Sequence, residues 1–354
     1  MWEYLIVIPS LIVLQHLILL LLPFKKKEFP YTLNPFQLPK ISILLAVKNE
    51  QKTIESCVNS LLAQRYPNFE LLVSNDHSDD NTGIILESFG GQIHLINGPE
   101  YKKGTNPKVA QLIELKAKAQ GVWLAVADGD CIYSEDWLIS MVHSAENSKS
   151  VLASGVTEVA FGGYQNFDWL INQAKIGVVS LKKPLHALGN NMILLKEIEE
   201  KEKLFESALK IPTEDIYIQH ILTQSGYSTD FSNNKITAQT FPVEGSNFWE
   251  QRKRWITGLK YLTPPVLILL LLESLMLPLI ICGIVFSNFG NIYGLIWLFN
   301  YILAALYSYK VYKGWQRKWQ MKLLFYEIRK QFNSLLFVIF IIFAPKFEWK
   351  GRKF

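Results

Sequence analysis

The sequence predicts an α/β fold: a doubly wound, largely parallel sheet in a water-soluble domain that is bracketed by transmembrane helices. Apolar residues make up 49% of the 354 residues, and they concentrate at residues 2–24 and after residue 262. Between these ends, short apolar runs alternate with segments of helical spacing, which is the pattern of strands followed by helices. The domain is expected to run unbroken from residue 40 to residue 240.

The strands of this domain come first along the chain. Residues 41–47 form a short apolar run, a helix is predicted over residues 53–64, and further strands are predicted at 69–74, 93–96 and 122–127. Ligands of such sheets bind at the carboxyl ends of the strands. The polar residues that follow the strands are therefore expected to line one crevice.

The membrane part is predicted from the long apolar segments. A span needs roughly 20 apolar residues, which fits residues 1–24 and two helices within residues 262–309. Lys25 to Lys27 follow the first span, and basic residues favour the cytoplasmic side, so the domain is expected to be cytosolic and the chain integral to the inner or plasma membrane. Residues 314–345 are predicted to hold an interfacial helix and a short re-entrant or fourth membrane segment.

Charge and cysteine usage exclude some classes of protein. The net charge is only +5, and the basic residues crowd the membrane-proximal segments, which favours anionic lipid headgroups over nucleic acid as a partner. The three cysteines have no spacing typical of a disulfide framework or a zinc site. The sequence does not specify the oligomeric state.

Two acidic motifs are candidates for chemistry. Asp128 and Asp130 flank Gly129 after a predicted strand, an arrangement that suits Mg²⁺ or Mn²⁺ but also occurs in solvated turns. Thr213-Glu214-Asp215 has the pattern of a helix start, with Thr213 as N-cap and acids in the first turn. A catalytic role of Asp215 is compatible with that structural role.

A third motif lies on a predicted amphipathic interface helix, residues 246–261. Gln251, Arg254 and Trp255 belong to the run Gln-Arg-Lys-Arg-Trp. Taken alone, this run is more typical of a basic helix that binds phospholipid. The two acidic motifs upstream favour a site that handles a diphosphate.

Together the motifs resemble those of membrane-bound family 2 glycosyltransferases, whose domain has the nucleotide-diphospho-sugar transferase, or GT-A, fold. The resemblance covers about residues 41–261, and its segments occur in the order of the family. They are Ala46-Val-Lys-Asn-Glu50, Asp76 with the polar loop after it, Asp128-Gly-Asp130, Thr213-Glu-Asp215 and Gln251-x-x-Arg254-Trp255.

The resemblance implies a role for each matching residue. The nucleotide-sugar would be bound by Ala46, Glu50, Asp76 and Asp128, the metal by Asp130 with Asp128, and the diphosphate or acceptor by Gln251, Arg254 and Trp255. Asp215 would be the general base of an inverting hexosyl transfer from a UDP-sugar.

The resemblance does not specify which molecule accepts the sugar. Asn106-Pro-Lys108 resembles the ceramide glucosyltransferase branch, with Lys108 reaching a phosphate, whereas Gln251 is typical of cellulose, chitin and hyaluronan synthases. The small number of predicted spans favours a membrane lipid as acceptor, either sphingolipid-like or polyprenyl-linked. The alternative is a processive polysaccharide synthase. A third possibility is a non-catalytic membrane protein with a degenerate transferase domain. Asn190 and Asn191 lie either in an acceptor-side loop or in a tight turn.

Polar residues inside the predicted spans form a separate prediction. Ionisable groups in spans are functional candidates, and His16, Glu273 and Asn300 fall at similar depth when about 1.5 Å is counted per helical residue. We expect one polar layer, which either pairs helices or also receives a lipid headgroup or hydroxyl.

Overall fold

The computed structural model describes residues 6–22, 38–179, 187–262, 264–286, 288, 290–318, 321–333, 348–349 and 352–353. The chain divides into two compact units. The sheet unit comprises Lys27–Gly162 and Val179–Pro242, and the helical unit comprises Met1–Lys26, Gly163–Val178 and Val243–Phe354.

The strands and helices follow each other along the chain with these bounds. The strands are β1 (Ile41–Val47), β2 (Phe69–Asn75), β3 (His94–Asn97), β4 (Trp123–Asp128), β5 (Cys131–Tyr133), β6 (Leu152–Val159), β7 (Asn191–Leu195), β8 (Thr229–Thr240), β9 (Glu348–Trp349) and β10 (Arg352–Lys353). The helices are α1 (Val7–Leu21), α2 (Ile54–Leu62), α3 (Thr82–Glu87), α4 (Pro107–Lys118), α5 (Trp137–Ser148), α6 (Tyr164–Val179), α7 (Lys196–Glu202), α8 (Leu204–Ala208), α9 (Glu214–Gln224), α10 (Ser246–Ile256), α11 (Pro264–Phe286) and α12 (Gly290–Gly314).

The sheet unit is built on one sheet with the strand order β3-β2-β1-β4-β7-β6-β8-β5. Its first four strands are parallel, as predicted, and their bounds agree with the prediction to within one residue at most ends. The remainder is mixed, because β7 runs antiparallel to β4 and to β6, and β5 antiparallel to β8. Because β6 is parallel to β8, four of the seven neighbouring strand pairs are parallel and three are antiparallel.

The core lies on both faces of this sheet. On β1, Ile43 and Leu45 pack with the cluster that contains α2 and α5, and Leu44 packs with the cluster that contains α4, α8 and α9. A strand buried on both faces is a continuous apolar run without alternation. This explains why β1 was recognisable from the sequence.

The helical unit contains α1, α6, α10, α11 and α12, with residues 326–333 also helical. Within the described part of the chain, α12 is the one helix long and apolar enough to cross a membrane; α1 and the Glu273–Phe286 part of α11 are shorter apolar helices. The predicted segment 335–344 and Lys25 to Lys27 lie outside the described residues. One expectation is corrected: the domain does not run unbroken to residue 240, because residues 163–178 group with the helical unit.

Candidate active site

The candidate site in the sheet unit lies at the carboxyl edge, where β1 ends at Val47, β2 at Asn75 and β4 at Asp128. Ala46 is paired with Asp128 across the parallel ladder between β1 and β4. Because the strands are parallel and in register, the residues after them emerge side by side. This brings the first three predicted motifs together.

Asp76 is held at this edge directly after β2. Its backbone N–H donates to the Val47 carbonyl at 2.9 Å, and Tyr101 Oη donates to Asp76 Oδ2 at 2.7 Å. Lys48 Nζ donates to the Asp76 carbonyl at 2.8 Å and lies 3.8 Å from Oδ2. Gly98 allows this packing, since a Cβ there would lie only 2.8 Å from the Asp76 Cα. The position of Asp76 is therefore fixed from three sides.

Glu50 connects the end of β1 to the start of α2. Its backbone N–H donates to Thr82 Oγ1 at 2.8 Å, and its carbonyl accepts from the N–H groups of Thr53 and Ile54 at 3.0 and 2.9 Å. The Glu50 carboxylate accepts from Thr53 Oγ1 at 3.2 Å. The side chain also borders Gly129, where a Cβ would lie 3.3 Å from Glu50 Cγ.

The Asp128-Gly-Asp130 turn connects β4 to β5. A Cβ at Gly129 would lie 2.9 Å from Val47 Cγ1, so only glycine lets this turn pack against the end of β1. Cys131 is buried at its other side, and its Sγ lies 3.5 Å from Asp130 Oδ1. Burial, and next the charge of Asp130, raises the pKa of the Cys131 thiol. Burial therefore favours the protonated form of this thiol.

Lys108 lies beside this turn, and the Asn106-Pro107-Lys108 motif accounts for its position. Asn106 is the N-cap of α4 and accepts from the Lys108 and Val109 N–H groups, with Pro107 at the first helical position. Lys108 Nζ then lies 2.6 Å from Asp128 Oδ1, 3.1 Å from Glu214 Oε1 and 3.1 Å from the Gly189 carbonyl oxygen. Burial disfavours the charge, but the two carboxylates outweigh it and raise the pKa of Lys108.

Asp215 is in the first turn of α9, as predicted, with Thr213 at the N-cap position but without a side-chain cap hydrogen bond. The Gly189 N–H donates to Asp215 Oδ2 at 2.9 Å, and the Ile216 N–H to Oδ1 at 2.9 Å. A Cβ on Gly189 would lie 3.2 Å from the Asp215 side chain. Both oxygens of the candidate base are thus oriented by backbone groups.

The two asparagines after Gly189 have different environments. The Asn190 carbonyl accepts from Tyr133 Oη at 2.8 Å, and its side chain is partly exposed. Asn191 is fully buried as the first residue of β7, where Oδ1 accepts from Trp137 Nε1 at 2.8 Å and Nδ2 donates to Thr237 Oγ1 at 3.0 Å. The Asn191 amide is thus used inside the core, and an acceptor-side role of Asn190 and Asn191 stays a prediction.

The Gln251, Arg254 and Trp255 motif is on α10, in the helical unit. There the Trp255 ring packs against Trp169 at a centroid distance of 5.2 Å, and the Arg252 guanidinium lies 4.3 Å from the Trp255 centroid. Arg252 also lies 3.8 Å from Asp168 Oδ2. Arg252 is thus held by protein groups, unlike the lipid-binding residue that a basic interfacial helix would present.

Three residues of the carboxyl edge were not predicted individually. Glu214 was part of a motif without a role, Gly189 was only a neighbour of the asparagines, and Tyr101 carried no signal in the sequence. Gly189 and Glu214 both contact Lys108, which belongs to a different motif. No local pattern identifies such partners.

Two family models match the chain. "Glycosyl transferase family 2" matches residues 42–209, and "Glycosyl transferase family group 2" matches residues 138–325, which is more than half of the chain. The chain belongs to the family 2 glycosyltransferases. This confirms the predicted enzyme class, that of hexosyl-transferring glycosyltransferases.

The named relatives of this glycosyltransferase include a polysaccharide synthase and a glucosyltransferase whose name gives a lipid-linked acceptor. It is 24% identical over 242 residues to the poly-beta-1,6-N-acetyl-D-glucosamine synthase of Staphylococcus epidermidis, covering 63% of this chain and 55% of that one. It is 32% identical over 126 residues to the UDP-Glc:alpha-D-GlcNAc-diphosphoundecaprenol beta-1,3-glucosyltransferase WfgD of Escherichia coli, covering 35% and 46%. The matches span about half to two thirds of the length of the first curated relatives.

A solved structure has the same fold as this glycosyltransferase. It is the mannosyltransferase PcManGT from Pyrobaculum calidifontis in complex with GDP-Man and Mn²⁺, with a TM-score of 0.58 and 15% identity over 93% of this chain and 96% of that chain. This similarity confirms the predicted GT-A fold.

Proposed function

We propose that the chain is an inverting hexosyltransferase that moves a sugar from a UDP-sugar to a lipid acceptor at the cytosolic face of a membrane. The observation that carries this proposal is the meeting of Asp128, Lys108, Glu214 and Asp215 at the carboxyl edge. It brings a carboxylate suited to the donor close to a carboxylate suited to act as base. The resemblance implies the roles of these residues, and this chain provides the distances between them.

The reaction would use Asp215 as the proton acceptor. As the acceptor hydroxyl oxygen attacks the anomeric carbon, its proton passes to the Asp215 carboxylate, and the bond from the anomeric carbon to the phosphate oxygen breaks on the opposite face. The N–H groups of Gly189 and Ile216 hold the carboxylate in place for this step. Attack from the face opposite UDP inverts the configuration.

Lys108 would act as a positioning residue. An ammonium group has three N–H donors, and in this structure Asp128, Glu214 and the Gly189 carbonyl take three contacts. Lys108 thereby connects the donor side of the site to the peptide that orients Asp215. This assignment replaces the phosphate contact that the sequence suggested.

Asp128 and Asp130 would hold Mg²⁺ or Mn²⁺. The described residues contain no group of three or more His, Cys, Asp or Glu side chains that could bind a metal alone. Two carboxylates around a glycine fit a cation that takes its remaining oxygens from a diphosphate and water. Its contribution when bound would be to neutralise charge on the departing UDP.

The membrane location rests on the apolar helices of the helical unit. Helix α12 has the length and composition of a span, and α1 and α11 are apolar over shorter described lengths. Three such helices with Lys25 to Lys27 after the first support a cytosolic sheet unit. Gln251, Arg254 and Trp255 would contact the diphosphate or the acceptor from α10.

A lipid acceptor is favoured over a growing polymer. A lipid enters from the side of a small bundle, whereas a polymer needs a channel with more walls than three or four spans provide. Asn106-Pro107-Lys108 supports the ceramide glucosyltransferase branch, and the name of WfgD records a polyprenyl-linked acceptor for a relative. A processive synthase remains the second candidate, because the relatives include a poly-N-acetylglucosamine synthase.

Transfer of radiolabelled sugars tests the proposal. Purified protein is incubated with a panel of UDP-sugars, Mn²⁺ or Mg²⁺ and membrane-lipid extract, with Asp130→Asn and Asp215→Asn as controls. We expect one organic-soluble labelled product, lost in both variants by at least about 10²-fold because each removes a group used in the transition state. High-mass, water-soluble label would instead identify a polymer synthase, and activity retained in Asp215→Asn would exclude Asp215 as the base.

A further inference from the structure

The helical unit encloses a polar cavity between its apolar helices. The enclosed space measures about 20 Å³, which is room for one hydroxyl group or one water. It is lined by Ile12, His16, Glu273, Met276, Asn300, Glu327, Lys330 and Gln331, of which His16, Asn300, Glu327 and Gln331 are each at most 8% exposed. His16 is on α1 and Asn300 on α12, while Glu327 and Gln331 are on the helical residues 326–333. Polar side chains are expensive inside an apolar bundle, so a lining with six of them needs an explanation.

Glu273 and Lys330 also line the cavity, and the charge of Glu273 is paired. Glu273 Oε1 accepts from Lys175 Nζ and from Gln15 Nε2, both at 2.8 Å, and Glu273 Oε2 lies 3.4 Å from Lys330 Nζ. This places the predicted residue Glu273 in an ion-pair cluster instead of in contact with His16 and Asn300. Its oxygens have partners without any ligand.

Glu327 differs from Glu273. It is 5% exposed and borders the cavity, yet no described residue lies within hydrogen-bond or ion-pair distance of its carboxylate. The nearby charges of Lys175 and Lys330 balance those of Glu273 and Glu327, which leaves the cluster neutral overall. A buried carboxylate without a direct donor is costly unless something else donates to it.

The other cavity residues also have unused hydrogen-bonding groups within the described structure. His16 Nδ1 lies 3.0 Å from Asn300 Oδ1 and 3.2 Å from the Ile12 carbonyl, both acceptors, so Nδ1 carries the proton and Nε2 is an acceptor. Gln331 Oε1 accepts from Trp297 Nε1 at 3.0 Å. This leaves the amide N–H groups of Asn300 and Gln331 as donors, with His16 Nε2 and Glu327 as acceptors.

We propose that this cavity binds the uncharged, hydroxyl-bearing headgroup of a membrane lipid. A hydroxyl both donates and accepts, which matches two acceptors and two amide donors. A phosphate would add negative charge beside Glu273 and Glu327, and the cation of the lining, Lys330, already lies 3.4 Å from Glu273 Oε2. The apolar part of the ligand fits Ile12 and Met276, the two apolar residues of the lining, and the bilayer that would surround these helices. The proposal rests on the membrane location argued above, and it concerns a site apart from the carboxyl edge.

A pair of lipids with identical chains tests this site. The full chain in detergent is titrated with 1,2-dioctanoylglycerol, whose headgroup is a hydroxyl, or with dioctanoyl phosphatidic acid, and the melting temperature is followed. We expect a saturable rise with the glycerol lipid and none with the phosphatidic acid. A polar cavity can also hold water alone. No rise in melting temperature with either lipid would overturn the proposal and indicate that the cavity holds water.

Variants locate the site. Glu327→Gln keeps the volume but removes the charged acceptor, and we expect its apparent Kd for dioctanoylglycerol to rise at least about tenfold, the scale of one charged hydrogen bond. Asn300→Leu removes the amide donor and serves as the second variant. Glu244→Gln is the matched control, because Glu244 is exposed in the same unit. An unchanged Kd in Glu327→Gln and Asn300→Leu, or an equal response to phosphatidic acid, would refute the assignment.

Sugar transfer measured on the same preparation separates this inference from the proposed function. Asp215→Asn should lose transfer and keep the response to dioctanoylglycerol. Transfer without the lipid response would overturn only the cavity assignment, and the response without transfer would overturn only the proposed catalysis. A response lost in Asp215→Asn would place the lipid at the carboxyl edge and refute the cavity site.

Discussion

Replacement of Lys108 by Met tests whether this residue positions the site or binds the donor. Lys108 is 12% exposed and contacts two carboxylates, one of them on the 5% exposed Glu214 side chain. Removing one partner of a buried pair costs about 3–5 kcal/mol. At about 2–4 °C per kcal/mol for a domain of this size, the melting temperature should fall by roughly 6–20 °C.

The same helix supplies a matched control. Lys116 is also on α4, its side chain is 11% exposed, and it lies 2.8 Å from Glu199 Oε2 and 2.7 Å from Glu206 Oε1. Lys116→Met should therefore destabilise the protein by a similar amount. Only Lys108→Met should also lower kcat, by about 10²-fold, because a small misplacement of the reacting groups costs that much.

The assay measures kcat and the donor KM at a temperature well below both melting transitions, with the Kd for UDP and Mn²⁺ as a separate reading. A positioning role for Lys108 predicts a lower kcat with the Kd for UDP nearly unchanged. An intact kcat with a donor KM raised tenfold or more would show that Lys108 binds the diphosphate. An equal loss of kcat in Lys116→Met would show that the effect is general destabilisation.

Two further predictions concern small changes at the carboxyl edge. Gly189→Ala places a Cβ 3.2 Å from the Asp215 side chain. We expect kcat to fall about tenfold or more while the Kd for UDP, measured by titration, stays the same. An unchanged kcat would mean that the loop moves and leaves the base in place. Burial raises the pKa of the Cys57 and Cys131 thiols, whereas Cys282 is partly exposed. N-ethylmaleimide at pH 7 should therefore modify only Cys282 in the folded protein, as measured by mass spectrometry. Rapid labelling of Cys57 and Cys131 would contradict their protonated state.

The parallel half of the sheet could be predicted because its strands are buried on both faces. An apolar run such as Ile41–Val47, which lacks the spacing of a helix, is most simply explained as a strand that is buried on both faces. The other half could not be predicted in this way. Strand β8 (Thr229–Thr240) is mostly polar, and β6 (Leu152–Val159) mixes small and polar residues, so neither forms an apolar run. Their identity as strands depends on pairing with each other across the chain.

The carboxyl edge shows a similar limit. The positions of Asp128 and Asp215 followed from local patterns, a strand end and a helix start, and the structure has both. The pairing of Lys108 with Asp128 and Glu214 joins three elements that are distant in sequence, and each motif alone gives no reason for it. The sequence suggested a phosphate for Lys108 because an unpaired lysine near a diphosphate site is the simplest reading of a local motif.

In the polar layer of the helical unit, depth along the predicted spans predicts one contact correctly, and helix packing determines another. His16 and Asn300 are hydrogen-bonded at 3.0 Å, as residues at equal depth on two packed helices can be. Glu273 has the same estimated depth but is bound by Lys175, which comes from α6 in the middle of the chain. Counting residues along a span does not reveal a helix that enters the unit from elsewhere. Lys175 and Lys330 already satisfy Glu273, so within the described part of the chain the carboxylate without a direct partner is Glu327. The proposed site for a hydroxyl donor rests on this difference between two buried acids.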